Sequence, residues 1–201
     1  MTTLSKNEVL LEGIPLSAPE PSHENHGTQF YRFPMEVPRL SGTPDVLPVI
    51  LSKDLCPQIL PDIPLRLCGQ LRSFNNRSGI GNKLVLTVYA QTLLPAQDEF
   101  CNQITLSGTL CKPPVFRRTP LGRSICDLML AVSRKYGRAD YLPVIAWGQL
   151  ALQASELQVG SRMTLDGRVQ SRTYQKVLED GSIEQRTAYE VSMMHLLEED
   201  T

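Results

Sequence analysis

An internal repeat limits the folds open to this chain. Asn7-x5-Gly13 recurs as Asn102-x5-Gly108, Gly27 to Arg39 corresponds to Gly122 to Arg134, and Leu47-Pro-Val-Ile50 recurs as Leu142-Pro-Val-Ile145, all at one offset of 95 residues. Separate matches at a single spacing make chance a poor explanation, and a long period reads as two copies of one folding plan. The offset grows to 98 between Gly69 and Gly167, and to 103 where Leu86 to Leu94 meets Tyr189 to Leu197. The added length therefore falls after the third strand and in the last hairpin, where surface loops tolerate insertion.

Each copy reads as β. In the first, strands are expected at Glu8 to Gly13, Gln29 to Pro38, Val46 to Leu51, Leu65 to Phe74 and Lys83 to Leu94. Ile14 to Asn25, with Pro15, Pro19 and Pro21, reads as loop. Pro34 and Pro38 remove backbone donors and place the second strand at an edge or a bulge. Gly69 suggests a bulge where a small barrel bends, and three prolines between Leu55 and Pro64 allow at most one helical turn. The second copy adds a short amphipathic helix over Gln149 to Leu157. It continues in a strand alternating at Met163, Leu165, Gly167 and Val169, and a hairpin over Lys176 to Arg186 whose tip carries Glu179-Asp-Gly181. Five strands and almost no helix per copy match a small five-stranded barrel. The reading is an all-β chain of two tandem five-stranded OB-fold barrels, divided as residues 1–97 and 98–201.

Charge separates the copies. Between Lys112 and Arg138 lie seven basic side chains against one acid, Asp127, in a chain of net charge -1. Positive charge concentrated on a sheet beside Phe116, Tyr136, Tyr141 and Trp147 is the composition of a nucleic-acid surface. The first hundred residues carry eight basic and ten acidic side chains. Their best candidates are Arg72 and Arg77 with Phe74.

Other functions lack residues to carry them. Five cysteines with no Cys-x2-Cys pair argue against a metal site or disulfide scaffold, and most are expected to be buried and inert. His23, His26 and His195 are too scattered for a metal cluster, with His195 expected to pack inside the last strand. Ser78-Gly-Ile-Gly81 lacks the Lys-Ser/Thr pair of a phosphate loop. Asp54 and Asp62 have no partner carboxylate placed for acid/base work. No enzyme, metal or cofactor is expected. No run of 18 apolar residues occurs, and Lys6, Glu8, Glu12 and Glu20 break the order of a signal peptide, so the expectation is a cytoplasmic, nucleoid-associated protein with no membrane partner.

Residues 102 to 197 resemble the oligonucleotide-binding barrel of bacterial single-stranded DNA-binding proteins. The likeness rests on Asn102-x5-Gly-x-Leu-x-x-x-Pro114, Arg118-Thr-Pro-x-Gly122, Leu130-Ala-Val-x-Arg134, Tyr141-Leu-Pro-Val-Ile-Ala-Trp-Gly-Gln-Leu-Ala151, Leu157-x-x-Gly160 and Asp166-Gly-Arg-Val-Gln-Ser-Arg-x-Tyr174 in this order. The resemblance implies single-stranded DNA binding with little sequence preference, in replication, recombination or repair. By motif position the stacking rings are Tyr141, Trp147 and Tyr174, and the phosphate contacts include Arg134, Arg168 and Arg172. The charged loop adds Phe116, Arg118 and Arg123. Family members assemble four barrels, which implies a homodimer here, and the first strands of the copies are natural edges for pairing.

Two departures qualify the likeness. The family's flexible tail ends in an acidic, aromatic-tipped peptide, whereas this sequence ends Leu197-Glu-Glu-Asp-Thr201, so recruitment of repair enzymes through a tail is not expected. The first copy has Val46 for Tyr141, Ser52 for Trp147 and Phe30 for Ile125, the pattern of a weak binder or structural partner. The alternatives are a structural, protein-interaction module of a replication or mobile-element complex with weak or no DNA binding, and an RNA-binding barrel of similar shape.

Overall fold

The computed structural model describes residues 6–78, 81–97 and 99–197. Twelve strands occur among them. The first half holds β1 (Asn7–Pro15), β2 (Glu20–Asn25), β3 (Thr28–Val37), β4 (Asp45–Ser52), β5 (Leu65–Asn75) and β6 (Leu84–Leu94). The second holds β7 (Asn102–Leu110), β8 (Val115–Arg118), β9 (Ser124–Ser133), β10 (Ala139–Trp147), β11 (Arg162–Val177) and β12 (Ile183–Leu197), with helix α1 (Gln149–Ser155) after β10.

Hydrogen bonding links the strands in the order β2-β3-β4-β6-β5-β1-β7-β11-β12-β10-β9-β8, with closing pairs β3–β1 and β7–β9. Read from the middle outward, both arms give the same succession of equivalent strands, as the repeat requires. Each arm closes five strands into an OB-fold barrel and adds one edge strand, β2 or β8. Along β4 and β10, Leu47, Val49 and Leu51 and their counterparts Leu142, Val144 and Ala146 are buried, which is the period-2 alternation of a strand with one face in a core.

Several expectations change. Glu20–Asn25 is a strand, not a loop: it pairs with β3 on one side only, so Pro21 sits on an outermost strand, beside a register shift, where a missing donor is tolerated. Strand β3 in turn is not at an edge. Pro34 falls where β3 passes from β2, last paired at Glu20↔Arg32, to β1, first paired at Pro15↔Met35. The charged stretch Val115–Arg118 is likewise the edge strand β8. His195 is exposed, and among the cysteines only Cys126 is fully buried, the other four being half-buried. Burial pushes the thiols of Cys56, Cys101, Cys111 and Cys126 up. The first five residues and the acidic end at 198–201 fall outside the described residues.

The bulge at Gly69 is present. Register shifts between Cys68 and Gly69 and, in the second barrel, between Asp166 and Gly167. A Cβ at these glycines would lie 2.0 Å from the Tyr89 carbonyl oxygen and 2.3 Å from that of Ser192, so only glycine lets the strands approach this closely. Asn7 and Asn102 also act alike. Asn7 donates to the Leu71 carbonyl and accepts from its amide, both at 2.8 Å; Asn102 does the same to Val169 at 2.7 and 2.9 Å.

The two first strands, expected as free edges, pair with each other inside the chain, Asn7↔Leu106 through Leu11↔Asn102. Two equivalent clamps reinforce this junction. The Asp140 carboxylate, fully buried, accepts from the Ser73 amide at 2.6 Å and from Arg134, which itself donates to the Ser73 carbonyl at 3.0 Å. One repeat earlier, Asp45 accepts from the Ser171 amide at 2.5 Å and from Arg39, which donates to the Ser171 carbonyl at 2.6 Å. Each barrel thus holds the other, at β5 and at β11, by both backbone polar groups of one serine. The hydrogen bond to Asp45 holds the Arg39 guanidinium above its ordinary pKa, against the opposing effect of burial.

Candidate nucleic-acid interface

Cross-strand register assigns the side chains of the second barrel to its two faces. Tyr141, Pro143, Ile145 and Trp147 alternate with the buried Leu142, Val144 and Ala146, so they lie on the outer face of β10. In the parallel pair with β12, Ile145 stands beside Ser192, and Ser192 stands opposite Arg168 on β11. The same face continues along β11 as Gln170 beside Glu190, Arg172 beside Ala188 and Tyr174 beside Arg186. Tyr141, Trp147, Arg168, Arg172 and Tyr174 therefore share one surface across three adjacent strands.

That surface is accessible at its ends. Trp147 is 39% and Tyr141 47% exposed. Six residues of strand separate them by about 20 Å. The Arg172 guanidinium carbon sits 5.6 Å from the Tyr174 ring centre, a cation–π contact that holds both in one layer. Arg172 is 3.8 Å from the nearly buried Glu190, and Gln170 donates to Glu190 at 2.8 Å. The Tyr174 hydroxyl donates to Asn82 of the first barrel at 3.0 Å. Arg168 turns its Nε into the surface, buried and without a hydrogen-bond partner among the described residues.

The remaining candidates lie elsewhere. Phe116 pairs across from Cys126 and Arg118 across from Ser124, which places them on the face of β8 opposite to Arg117 and Ile125, the neighbours of Trp147. Arg123 closes the Thr119 to Arg123 turn, its amide donating to the Thr119 hydroxyl at 3.0 Å, with its side chain exposed. Arg134 is held in the inter-barrel clamp. Its position in the motif marks a residue type that faces a groove, yet its guanidinium here faces Asp140.

Arg117, one of the seven basic residues of the charged stretch, also belongs to this surface. Arg117 lies on the Trp147 face, bonded to Asp127 at 2.8 Å. That bond raises the Arg117 pKa, against the opposing effect of burial. An acid two residues after Ile125 on the adjacent strand was the available signal. In the first barrel, Phe30 stacks on His23 with ring centres 5.0 Å apart and meets the edge of Tyr89 at 6.1 Å. Arg72 lies 5.9 Å from the Tyr89 ring centre, bonded also to Gln70 and to Asp140. Among the described residues no group of His, Cys, Asp and Glu is arranged to hold a metal ion, and no helix is long and apolar enough to cross a membrane.

Known proteins resemble this chain in sequence and in fold. Residues 101–197 match the Single-strand binding protein family. A single-stranded DNA-binding protein 2 of Streptococcus agalactiae is 32% identical over 104 residues, which cover 48% of this chain and 77% of that protein. A single-stranded DNA-binding protein of Clostridium tetani is 33% identical over 81 residues, 37% of this chain and 56% of that one. The chain spans between half and two thirds of several such relatives, 51% to 60% of their length. In fold, the crystal structure of wild-type single-stranded DNA binding protein from Thermus aquaticus superposes with a TM-score of 0.79 over 99% of this chain and 95% of that one, at 23% identity. With the identity to the streptococcal protein extending over most of its length, the chain belongs to the single-strand binding protein family.

Proposed function

We propose that this protein binds single-stranded DNA with little base preference, by stacking bases on Tyr141, Trp147 and Tyr174 and setting phosphates against Arg168 and Arg172. The observation that carries the reading is the common outer face these five side chains occupy on β10 and β11. Every base offers a flat face, and a stacked base contributes about 1 to 3 kcal/mol by truncation, so such a row binds without reading sequence. Arg118 and Arg123, exposed and without an ion pair among the described residues, extend the positive field beyond the stacking row. Phe116 serves as an outlying contact on the reverse of β8.

The division at residues 97 and 98 makes the second barrel the principal binder and the first its weaker partner. The barrels work in replication, recombination or repair without catalysing a reaction, and two chains supply four barrels. Names of relatives and the family match support this reading. The structural-module alternative draws on Arg134, whose charge is committed to Asp140.

The test is titration of Trp147 fluorescence with oligothymidine at low and high salt. Quenching that weakens with log salt is expected, because phosphate contacts release counterions. Absence of quenching at both salt concentrations, with an oligonucleotide bound by neither half, returns the structural-module reading. Equal-length RNA competes less well if the site is built for DNA, and light scattering reads the number of barrels per particle.

A further inference from the structure

The two clamps between the barrels repeat each other, so a contact made on one side only needs a cause of its own. Two such contacts end on stacking residues. In one junction the Ser171 hydroxyl donates at 2.9 Å to Asp45, the acid that already holds its amide. In the other, the Ser73 hydroxyl accepts from the Tyr141 amide at 2.7 Å. Ser73 of the first barrel thus fixes the backbone from which the Tyr141 ring projects, while its own amide and carbonyl are secured by Asp140 and Arg134.

The second contact lies at the hairpins. Asn82 of the first barrel accepts from the Tyr174 hydroxyl at 3.0 Å and donates to the Thr187 carbonyl at 2.7 Å. Arg186 holds the neighbouring Gly81 carbonyl, also at 2.7 Å. With both ends of its amide engaged, Asn82 is fixed in one orientation. The Arg172 guanidinium carbon lies over the Tyr174 ring, 5.6 Å from its centre, so the ring is held at its hydroxyl by the first barrel and at its face by its own strand.

By the repeat, Tyr141 corresponds to Val46 and Tyr174 to Asn76. Neither position carries a ring in the first barrel, so the second has none there to hold in return. A side chain that settles into one orientation only when its ligand arrives loses rotational freedom as part of binding. A ring already fixed avoids that loss.

We propose that Ser73 and Asn82 are positioning residues, through which the first barrel presets Tyr141 and Tyr174 for stacking. The proposal rests on the stacking reading above, and it gives the first barrel a part in binding even where it holds no nucleotide.

The test uses the full chain and an oligothymidine of about 10 nucleotides, within the roughly 4 to 16 that one OB fold covers, followed by quenching of Trp147. Tyr174→Phe keeps the ring and removes the hydroxyl, and Asn82→Ala removes its acceptor. Each is expected to weaken binding about twofold to tenfold, the share of one immobilised side chain. The double variant should bind no more weakly than either alone, because both delete the same bond. Asn82→Ala also loses the bond to Thr187, so its cost in urea denaturation is expected to persist in the Tyr174→Phe background while its cost in binding disappears. Ser73→Ala is expected to weaken binding by a similar factor, and Ser73→Thr, which keeps a hydroxyl, to restore it.

Additive binding losses from Asn82→Ala and Tyr174→Phe overturn the role of Asn82, which then acts on the strand or on the fold and not through the ring. Equal losses from Ser73→Ala and Ser73→Thr overturn the role of Ser73 in the same way. Unchanged affinity in Asn82→Ala and Ser73→Ala overturns the proposal and leaves the stacking face standing. Failure of wild type to bind the strand overturns the stacking reading as well.

Discussion

Where the second barrel presents Trp147, the first presents Ser52, with an aromatic ring, Phe30, one strand away. Phe30 is the cross-strand partner of Ser52, as Ile125 is of Trp147, so the aromatic side chain sits on opposite members of the same pair in the two barrels. The surroundings differ more than the rings do. One side of Phe30 is already covered by His23 and its edge by Tyr89, whereas Trp147 has no stacked aromatic partner among the described residues. Gln70 and Phe74 replace Arg168 and Arg172, and the cations of the first surface are paired, Arg72 with Asp140 of the other barrel and Arg32 with Glu20. Equivalent backbones thus carry an open, cationic stacking row on one side and a self-packed cluster on the other.

The two halves should be most alike where they hold each other. Asp45 and Asp140 each neutralise a guanidinium and bond one residue of the opposite barrel, and Asp140 also pairs with Arg72, so both Asp45→Ala and Asp140→Ala are expected to destabilise the chain, Asp140→Ala somewhat more. Removing one member of a buried pair strands the other charge, and roughly 3 kcal/mol is expected, near the low end for such losses because Arg39 and Arg134 remain 21% and 25% exposed. Urea denaturation followed by fluorescence measures this. A cost at Asp140 with none at Asp45 breaks the equivalence of the clamps.

Binding should then separate the halves. Trp147→Ala is expected to weaken oligothymidine binding by about 1 to 3 kcal/mol, between roughly fivefold and 150-fold, and Phe30→Ala by less than about 0.5 kcal/mol, because its ring is already stacked. Ser52→Trp sharpens the point by giving the first barrel a second ring beside Phe30, and an increase in affinity is expected. Equal losses from Trp147→Ala and Phe30→Ala, read by fluorescence anisotropy of labelled DNA, contradict the asymmetry.

A smaller effect is expected from the cations. Arg168→Ala and Arg172→Ala should each reduce the salt slope by about 0.7, the share of one phosphate on single-stranded DNA, while Gln70→Ala in the first barrel leaves it unchanged. The Arg172 variant also removes the cation over Tyr174 and should lose slightly more affinity than the Arg168 variant.

The repeat and the strand alternation made the paired barrels legible, because a constant offset and a period of two survive without knowledge of any contact. The edge strands were illegible for a local reason. Pro21 signals a loop to any propensity argument, and only the one-sided pairing of β2 makes it admissible in a strand. Five of the nine candidate site residues fall on one face by register. Motif order carries no sign that Arg134 pairs with Asp140 and bonds Ser73, 61 residues earlier, because that contact joins the two barrels.

The smallest predicted difference concerns the edge strands themselves. Each is held by one exposed ion pair, Arg32 with Glu20 on β2 at 2.9 Å and Arg117 with Asp127 on β8 at 2.8 Å. Exposed pairs contribute little, so Arg32→Ala and Arg117→Ala should each change stability by less than about 0.5 kcal/mol. Their effects on binding should nevertheless differ. Asp127 stands opposite Ile145, diagonal to Trp147 on the stacking face, so losing Arg117 leaves an unbalanced carboxylate where a DNA phosphate approaches. Arg117→Ala is therefore expected to weaken DNA binding about twofold to fivefold, Asp127→Asn to strengthen it, and the double variant to return close to wild type, since the repulsion and its cause are removed together. Glu20 belongs to the barrel whose surface is already self-packed, and Arg32→Ala should leave affinity unchanged. If the two arginines prove equal in both measurements, the outer faces of the barrels are electrostatically equivalent, and the difference between the halves reduces to the rings alone.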